Sequence, residues 1–217
     1  MGIFSELLDL FYPPRCAFCR KILKSDESGM CRKCNESISR TRGGGAQSGE
    51  FFAVCVSPLY YENDVRDAIL RFKFNDATVY AELFSGFIAD CIKENLLGRF
   101  DLITWVPLSA KRLKKRGYDQ AMLLAMSAAL KLGDVAVELL IKHTDVPAQS
   151  GVGSQEKRRA NISGVYGVAD DELIRDKRIL LIDDIVTTGA TLSECSKMLR
   201  LAGASEVVCC TLARTRE

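Results

Sequence analysis

Apolar residues fall in two rhythms along this chain. Runs at 51–61, 101–107, 135–141, 178–182 and 207–212 are short, rich in branched or aromatic residues and bounded by polar ones, which predicts strands. Between them, residues 64–72, 79–95, 120–132 and 191–202 carry apolar positions three and four apart, which predicts helices, one of them stopped at Gly133. Strand and helix alternate, so the expected fold class is α/β, a parallel sheet flanked by helices. Two segments break the rhythm. Ile3, Phe4, Leu7, Leu8, Leu10 and Phe11 repeat at helical spacing until Pro13 and Pro14 stop the helix; its apolar side suits either a docking or membrane-surface role or packing on its own domain. Residues 144–164 hold few apolar side chains and many of Gly, Ser, Gln and Arg, and a loop that long in a compact domain reads as a lid or binding loop.

Composition adds boundaries to this picture. Residues 41–49 are rich in Gly and read as a flexible linker, which divides the chain into residues 1–42 and residues 50–217. The 30 basic and 28 acidic residues nearly cancel, so net charge gives no argument for nucleic acid and local clusters must be weighed instead. No apolar run approaches the roughly 18 residues of a membrane span. The first ten residues lack the basic segment and apolar core of a secretory signal, and Glu6 stands where a myristoylation signal has Ser or Thr.

Four of the nine cysteines have metal spacing: Cys16 and Cys19 form one Cys-x2-Cys pair, Cys31 and Cys34 a second. Each pair sets two sulfurs on one side of a tight turn, and two pairs complete a tetrahedron around Zn²⁺. A segment too small for its own core would draw its folding energy from that metal, which makes the front of the chain a zinc-binding knuckle. Redox-active thiols or disulfides are the competing reading; the odd cysteine count and metal spacing favour a reducing compartment, the cytoplasm. Arg15, Arg20, Lys21, Lys24, Arg32 and Lys33 surround the ligands and form either a nucleic-acid surface or a solvated one, and Phe18 offers a stacking face for an unpaired base. Cys55, Cys91, Cys195, Cys209 and Cys210 read as small core residues.

The strongest chemical signal is the stretch from Ile179 to Thr191. A buried strand delivers Asp183 and Asp184, a turn rich in hydroxyls follows through Thr187 and Thr188, Gly189 closes it, and a helix begins at Ala190 and Thr191. Ligands of open parallel sheets sit at this edge. Backbone N–H groups at the helix start hold a phosphate, and the threonine hydroxyls add donors. The two carboxylates would repel that phosphate, so they suit sugar hydroxyls or a Mg²⁺ ion. A generic strand–turn–helix with solvated carboxylates is the plain alternative. No Lys follows Gly189, which excludes a Walker A loop, and the glycines at 151 and 153 lack the third glycine of a dinucleotide fingerprint.

This stretch resembles the 5-phosphoribosyl-1-pyrophosphate (PRPP) signature of type I phosphoribosyltransferases. The resemblance implies that Asp183 and Asp184 contact the ribose hydroxyls and that residues 187–191 hold the 5′-phosphate. Purine-salvage members carry Asp where this chain has Thr187, which argues against purine salvage. Two further segments fit the same ligand. Lys111, Arg112, Lys114, Lys115 and Arg116 crowd five cations into six residues, as a pyrophosphate requires, with Arg112 and Arg116 able to bond it in bidentate fashion. A solvated basic face and a site for nucleic-acid phosphates are the alternatives there. Gln149, Arg159 and Asn161 lie in the long loop that would close over PRPP and exclude water. His143 reads as structural rather than catalytic, and no catalytic residue is assigned.

Taken in order, the four-cysteine head, Lys73 within Arg-Phe-Lys-Phe, Trp105 to Gln120, Gln149 to Asn161 and the Asp183–Asp184 loop resemble the ComF family of competence-associated phosphoribosyltransferase-like proteins. Tyr118 and Asp119 replace the family's usual Phe-Asn, and His143 replaces a commoner Arg. The resemblance implies a type I phosphoribosyltransferase fold, PRPP with Mg²⁺ as ligand, and single-stranded DNA and other DNA-uptake proteins as partners in natural transformation. Three classes remain open: a PRPP-binding handler of single-stranded DNA, an active phosphoribosyltransferase that displaces pyrophosphate onto an unknown acceptor, and a PRPP sensor without catalysis.

Overall fold

The computed structural model describes residues 13–74, 78–143 and 165–216. The helix expected over residues 3–11 and the loop expected over 144–164 lie outside the described residues. The head has a short antiparallel bridge between Arg15 and Ile22 and a helix α1, Arg32–Ser37. The main sheet follows: β1 Val54–Val56, β2 Leu59–Tyr60, β3 Leu102–Trp105, β6 Arg178–Val186 and β7 Glu206–Arg214. Strands β1 and β2 both pair with one side of β7, β6 pairs with the other, and β3 pairs with β6, all in parallel. Expectation had one strand over 51–61; Pro58, which offers no N–H to a ladder, splits it into two. A separate antiparallel hairpin joins β4 Leu140–Lys142 to β5 Tyr166–Val168.

The helices are α2 Asn63–Phe74, α3 Ala81–Asn95, α4 Ala110–Arg116, α5 Gln120–Leu132 and α6 Ala190–Leu201. Side chains of β6 and β7 alternate between two cores, as period-two pleating requires. Leu180, Ile182, Val208, Cys210 and Leu212 join the face covered by α2, α3 and α5. Ile179, Leu181, Val207 and Cys209 join the face covered by α6 and the hairpin. Covering both faces of a parallel sheet explains why Ile179 to Ile182 are all 0 % exposed. The five cysteines outside the head are buried, as their apolar surroundings suggested.

The head is fastened to this body. Phe18, 2 % exposed, meets the rings of Phe84 and Phe87 edge-on at centroid distances of 6.1 and 6.3 Å. Arg71 of α2 donates from Nη2 to the carbonyls of Ala17 at 2.7 Å and Phe18 at 2.8 Å. Phe18 is therefore a wedge into the core, and the stacking face expected of it is covered. Residues 41–49, read from composition as a flexible linker, are also held: Thr41 donates to Pro58, Gly44 accepts from Ser57, Gly45 accepts from Arg214 at 2.5 Å, and Gln47 exchanges bonds with Cys55.

Within the head, the sulfurs of Cys16, Cys19, Cys31 and Cys34 all lie within 4.8 Å of one another, and Cys19 and Cys31 are 3.7 Å apart. With Zn–S bonds of about 2.3 Å, the edge of a tetrahedron is about 3.8 Å, close to the Cys19–Cys31 separation, so the four thiols are near enough to share one zinc ion. The backbone N–H of Cys31 donates to the Cys16 sulfur at 3.4 Å, which favours a thiolate there. Purified protein is expected to hold one zinc per chain by elemental analysis, and Cys31→Ser/Cys34→Ser to hold none; a fully metallated variant would refute the assignment. Phe84 is 0 % exposed and touches the rings of Phe18, Phe72 and Tyr80. Phe84→Ala is expected to cost about 3–5 kcal/mol in urea unfolding, because a cavity opens under both head and sheet.

Candidate functional site

Strand β6 carries the site to the C-terminal edge of the sheet. Expectation ended this strand near Ile182, but its ladder with β7 continues through Asp183, opposite Thr211, to Val186, opposite Arg214. Alternation then sends the two carboxylates in different directions. Asp184 continues the side of Leu180 and Ile182, toward α2; Asp183 continues the side of Ile179 and Leu181, toward the hairpin and α6.

Each carboxylate is accommodated differently. Lys73, near the end of α2, places Nζ 2.8 Å from Asp184 Oδ2, with the two side chains 17 % and 13 % exposed. Asp183 Oδ1 accepts only the N–H of Asp184 among the described residues, at 2.8 Å. Burial pushes the Asp183 carboxyl up to about 8, and the charge of Asp184 adds to the effect. A third acid, Asp119, caps α5: Oδ1 accepts from Met122 at 3.1 Å and Oδ2 from Leu108 at 2.8 Å. Burial raises its pKa despite these bonds.

Beyond the carboxylates, the chain turns through Thr187 and Thr188, both exposed, to Gly189 at φ +73°. That left-handed conformation is open to glycine without strain and turns the chain into α6. No side chain caps the first turn of α6; Ala190 donates weakly to Thr188 Oγ1 at 3.4 Å. A small cleft of about 40 Å³ lies at this turn, lined by Asp183, Thr187, Thr188, Gly189, Ala190 and Thr191.

This cleft adjoins a pocket of about 350 Å³, into which the structure brings Asp183, Asp184, Thr187 and Thr191 from one side and Arg112 and Arg116 from another. The two arginines share a face because they stand one turn apart on α4, a helix capped by Ser109 at its start and by Gly117 at its end. Lys111, Lys114 and Lys115 remain exposed on its other faces. Arg116 Nη1 donates to Gln120 Oε1 at 2.5 Å, which aims its guanidinium. Gln149, Arg159 and Asn161 lie outside the described residues.

Sequence reasoning did not assign Lys73, Asp119, Lys142 and Tyr166 to the site, yet all four line the pocket. Asp119 carried a visible signal, an acidic residue just before an apolar helical run. Lys142 and Tyr166 carried none. They come from β4 and β5, on opposite sides of residues 144–164, and meet only through the hairpin, with Lys142 Nζ donating to the Tyr166 hydroxyl at 2.9 Å. His143 lies past the end of β4, exposed and apart from the residues lining the pocket. Among the described residues, four cations thus line the pocket with three acids, one of which burial and its acidic neighbour push toward the protonated form. The pocket is net positive and suits an anion bearing hydroxyls.

Comparison with known proteins agrees with both halves of this architecture. Residues 118–217 match the model of the phosphoribosyl transferase domain, and residues 7–45 that of the double zinc ribbon domain. Competence protein F of Haemophilus influenzae is 29 % identical over 94 % of this chain and 98 % of its own length. Competence protein ComFC of Streptococcus pneumoniae is 28 % identical over 90 % of this chain and 80 % of its own. DNA utilization protein YhgH of Salmonella typhi is 26 % identical over 95 % and 99 %. With a four-cysteine head, a parallel sheet and these relatives along nearly its whole length, the chain carries a phosphoribosyl transferase domain and is similar to the ComF proteins.

Proposed function

We propose that this chain binds PRPP at the edge of β6 and acts in the cytoplasm in the uptake and handling of single-stranded DNA during natural transformation. Residues 1–42 serve as the zinc head and residues 50–217 as the phosphoribosyl unit. The observation that carries the reading is the convergence of Asp183 and Asp184 with Arg112 and Arg116 in one positive pocket. The arginines suit the pyrophosphate, the carboxylates the ribose hydroxyls, and the turn from Thr187 to Thr191 the 5′-phosphate. Asp183 and Asp184 are also the hard oxygen donors that would hold Mg²⁺ arriving with PRPP. The names of the relatives, two competence proteins and a DNA utilization protein, support the DNA half of the reading.

Binding fits better than transfer. A transferase needs a base to take the acceptor's proton. Among the described residues of the pocket, Asp184 is paired with Lys73, Asp119 caps a helix, and burial with the neighbouring Asp184 charge pushes the Asp183 pKa up, toward the protonated form.

Calorimetric titration with PRPP and Mg²⁺ tests the reading. Asp183→Ala/Asp184→Ala removes hydrogen bonds worth about 1.5–3 kcal/mol each at charged groups, so affinity is expected to fall roughly tenfold or more. Equal affinity in the double variant counts against the site.

The protonation of Asp183 has its own signature in the ligand-free protein. Its folded pKa of about 8 lies above the ordinary 3.8, so between these values the folded state holds a proton that the unfolded state has lost. Stability from this group therefore falls as pH rises from about 4 to about 8. Urea midpoints measured across that window are expected to decline less in Asp183→Asn than in the parent; parallel curves would assign the decline to other groups.

A further inference from the structure

We propose that the single-stranded nucleic acid binds at the mouth of the pocket, with Phe74 as a base-stacking platform and the outward lysines of α4 as phosphate contacts. This rests on the DNA half of the proposed function and moves the surface from the zinc head to the pocket rim.

Phe74 ends α2, immediately after Lys73, and its ring is 58 % exposed. A large aromatic left in water beside a charged pocket calls for an explanation, since α2 buries its other phenylalanine, Phe72, completely. The Arg116 guanidinium lies over the Phe74 ring, 4.8 Å from its centroid. One face of the ring is therefore held by a cation that also lines the pocket, while much of its surface stays open. Every base has a π-face, so a fixed and exposed aromatic ring accepts unpaired bases without regard to sequence.

Charge next to the ring completes the requirement. On α4, Arg112 and Arg116 turn inward, while Lys111, Lys114 and Lys115 are exposed and Leu113 is 42 % exposed. Three exposed cations on the short helix that also carries Arg116 offer the electrostatic track that a phosphate backbone follows. Among its described residues, the head lacks this combination. Phe18 is buried, and Arg32 is paired with Asp26 at 3.3 Å.

Arg116 belongs to both surfaces. A pyrophosphate drawn to it adds negative charge beside the lysines and competes with Phe74 for the guanidinium. PRPP and a single strand are accordingly expected to weaken each other's binding by the same factor.

Anisotropy of a labelled oligothymidylate with the zinc-loaded full chain, at several salt concentrations, tests this. Phe74→Ala is expected to bind about tenfold more weakly, with Phe74→Tyr close to the parent, as loss of one stacked base predicts. Lys114→Gln/Lys115→Gln is expected to reduce the log–log salt slope by about 1.4, from two lost contacts to a single strand. Saturating PRPP is expected to weaken the parent's binding severalfold. Calorimetry with PRPP accompanies each variant and separates a loss of strand binding from a loss of the pocket.

Undiminished binding by Phe74→Ala overturns the platform, and so does an equal loss on single strand and duplex, because a duplex offers no unpaired base. Weakening by Arg20→Gln/Lys21→Gln, with the rim variants unaffected, returns the surface to the head. If the parent binds no oligonucleotide even at low salt, the DNA half of the proposed function falls and this inference with it, while the PRPP half stands on its own titration.

Discussion

Two neighbouring carboxylates at the end of a buried strand repel each other, and the surrounding pocket is arranged to relieve that repulsion. The sheet cannot separate them further, because β6 is fixed by β7 on one side and β3 on the other. Pleating gives the first relief by sending the acids to opposite faces. Lys73 gives the second by meeting Asp184, and a retained proton on Asp183 gives the third. A ligand that needs both acids charged must supply its own compensation, in hydroxyl donors or a cation.

The end of α2 follows from this constraint. In four consecutive residues, Arg71 binds the carbonyls of the head, Phe72 fills the core under Tyr118, Lys73 meets Asp184, and Phe74 lies at the rim under Arg116. The first and third differ by two residues, about 200° around a helix, so they point to different places from the same turn. The metal-ligand head and the pocket are thereby held by one rigid element. Arg71 Nε, buried with no partner among the described residues, is the visible cost of this arrangement.

Much of the fold was legible because its signals are local. Helix α5 was placed at its observed bounds, since Asp119 starts it and Gly133 ends it, both as caps in the structure. The knuckle was legible from thiol spacing alone. Other features depend on distant partners. Asp183 and Asp184 are poor strand formers, and only pairing with β7 carries β6 past them. Helix α4 has no apolar period and exists through its two caps and its place over the pocket. The β4–β5 hairpin joins segments more than twenty residues apart, so the meeting of Lys142 and Tyr166 left no pattern in either segment. Phe18 misled for a related reason: a ring between two metal ligands reads as exposed until the aromatic wall formed by Phe84 and Phe87 is seen opposite it.

Strand β7 is central in the sheet, holding β1 and β2 on one side and β6 on the other, yet it follows all of them in the chain. During synthesis, every strand that will pair with it must wait with an open edge. Residues of β6 such as Leu180 to Ile182, wholly buried in the finished sheet, are then exposed to other chains. Assembly therefore hinges on a late, long-range closure, the slow kind of folding step in which newly made chains are most prone to aggregate. A cell making this protein in quantity would meet that hazard in nascent chains, where chaperone capacity sets the yield of folded molecules.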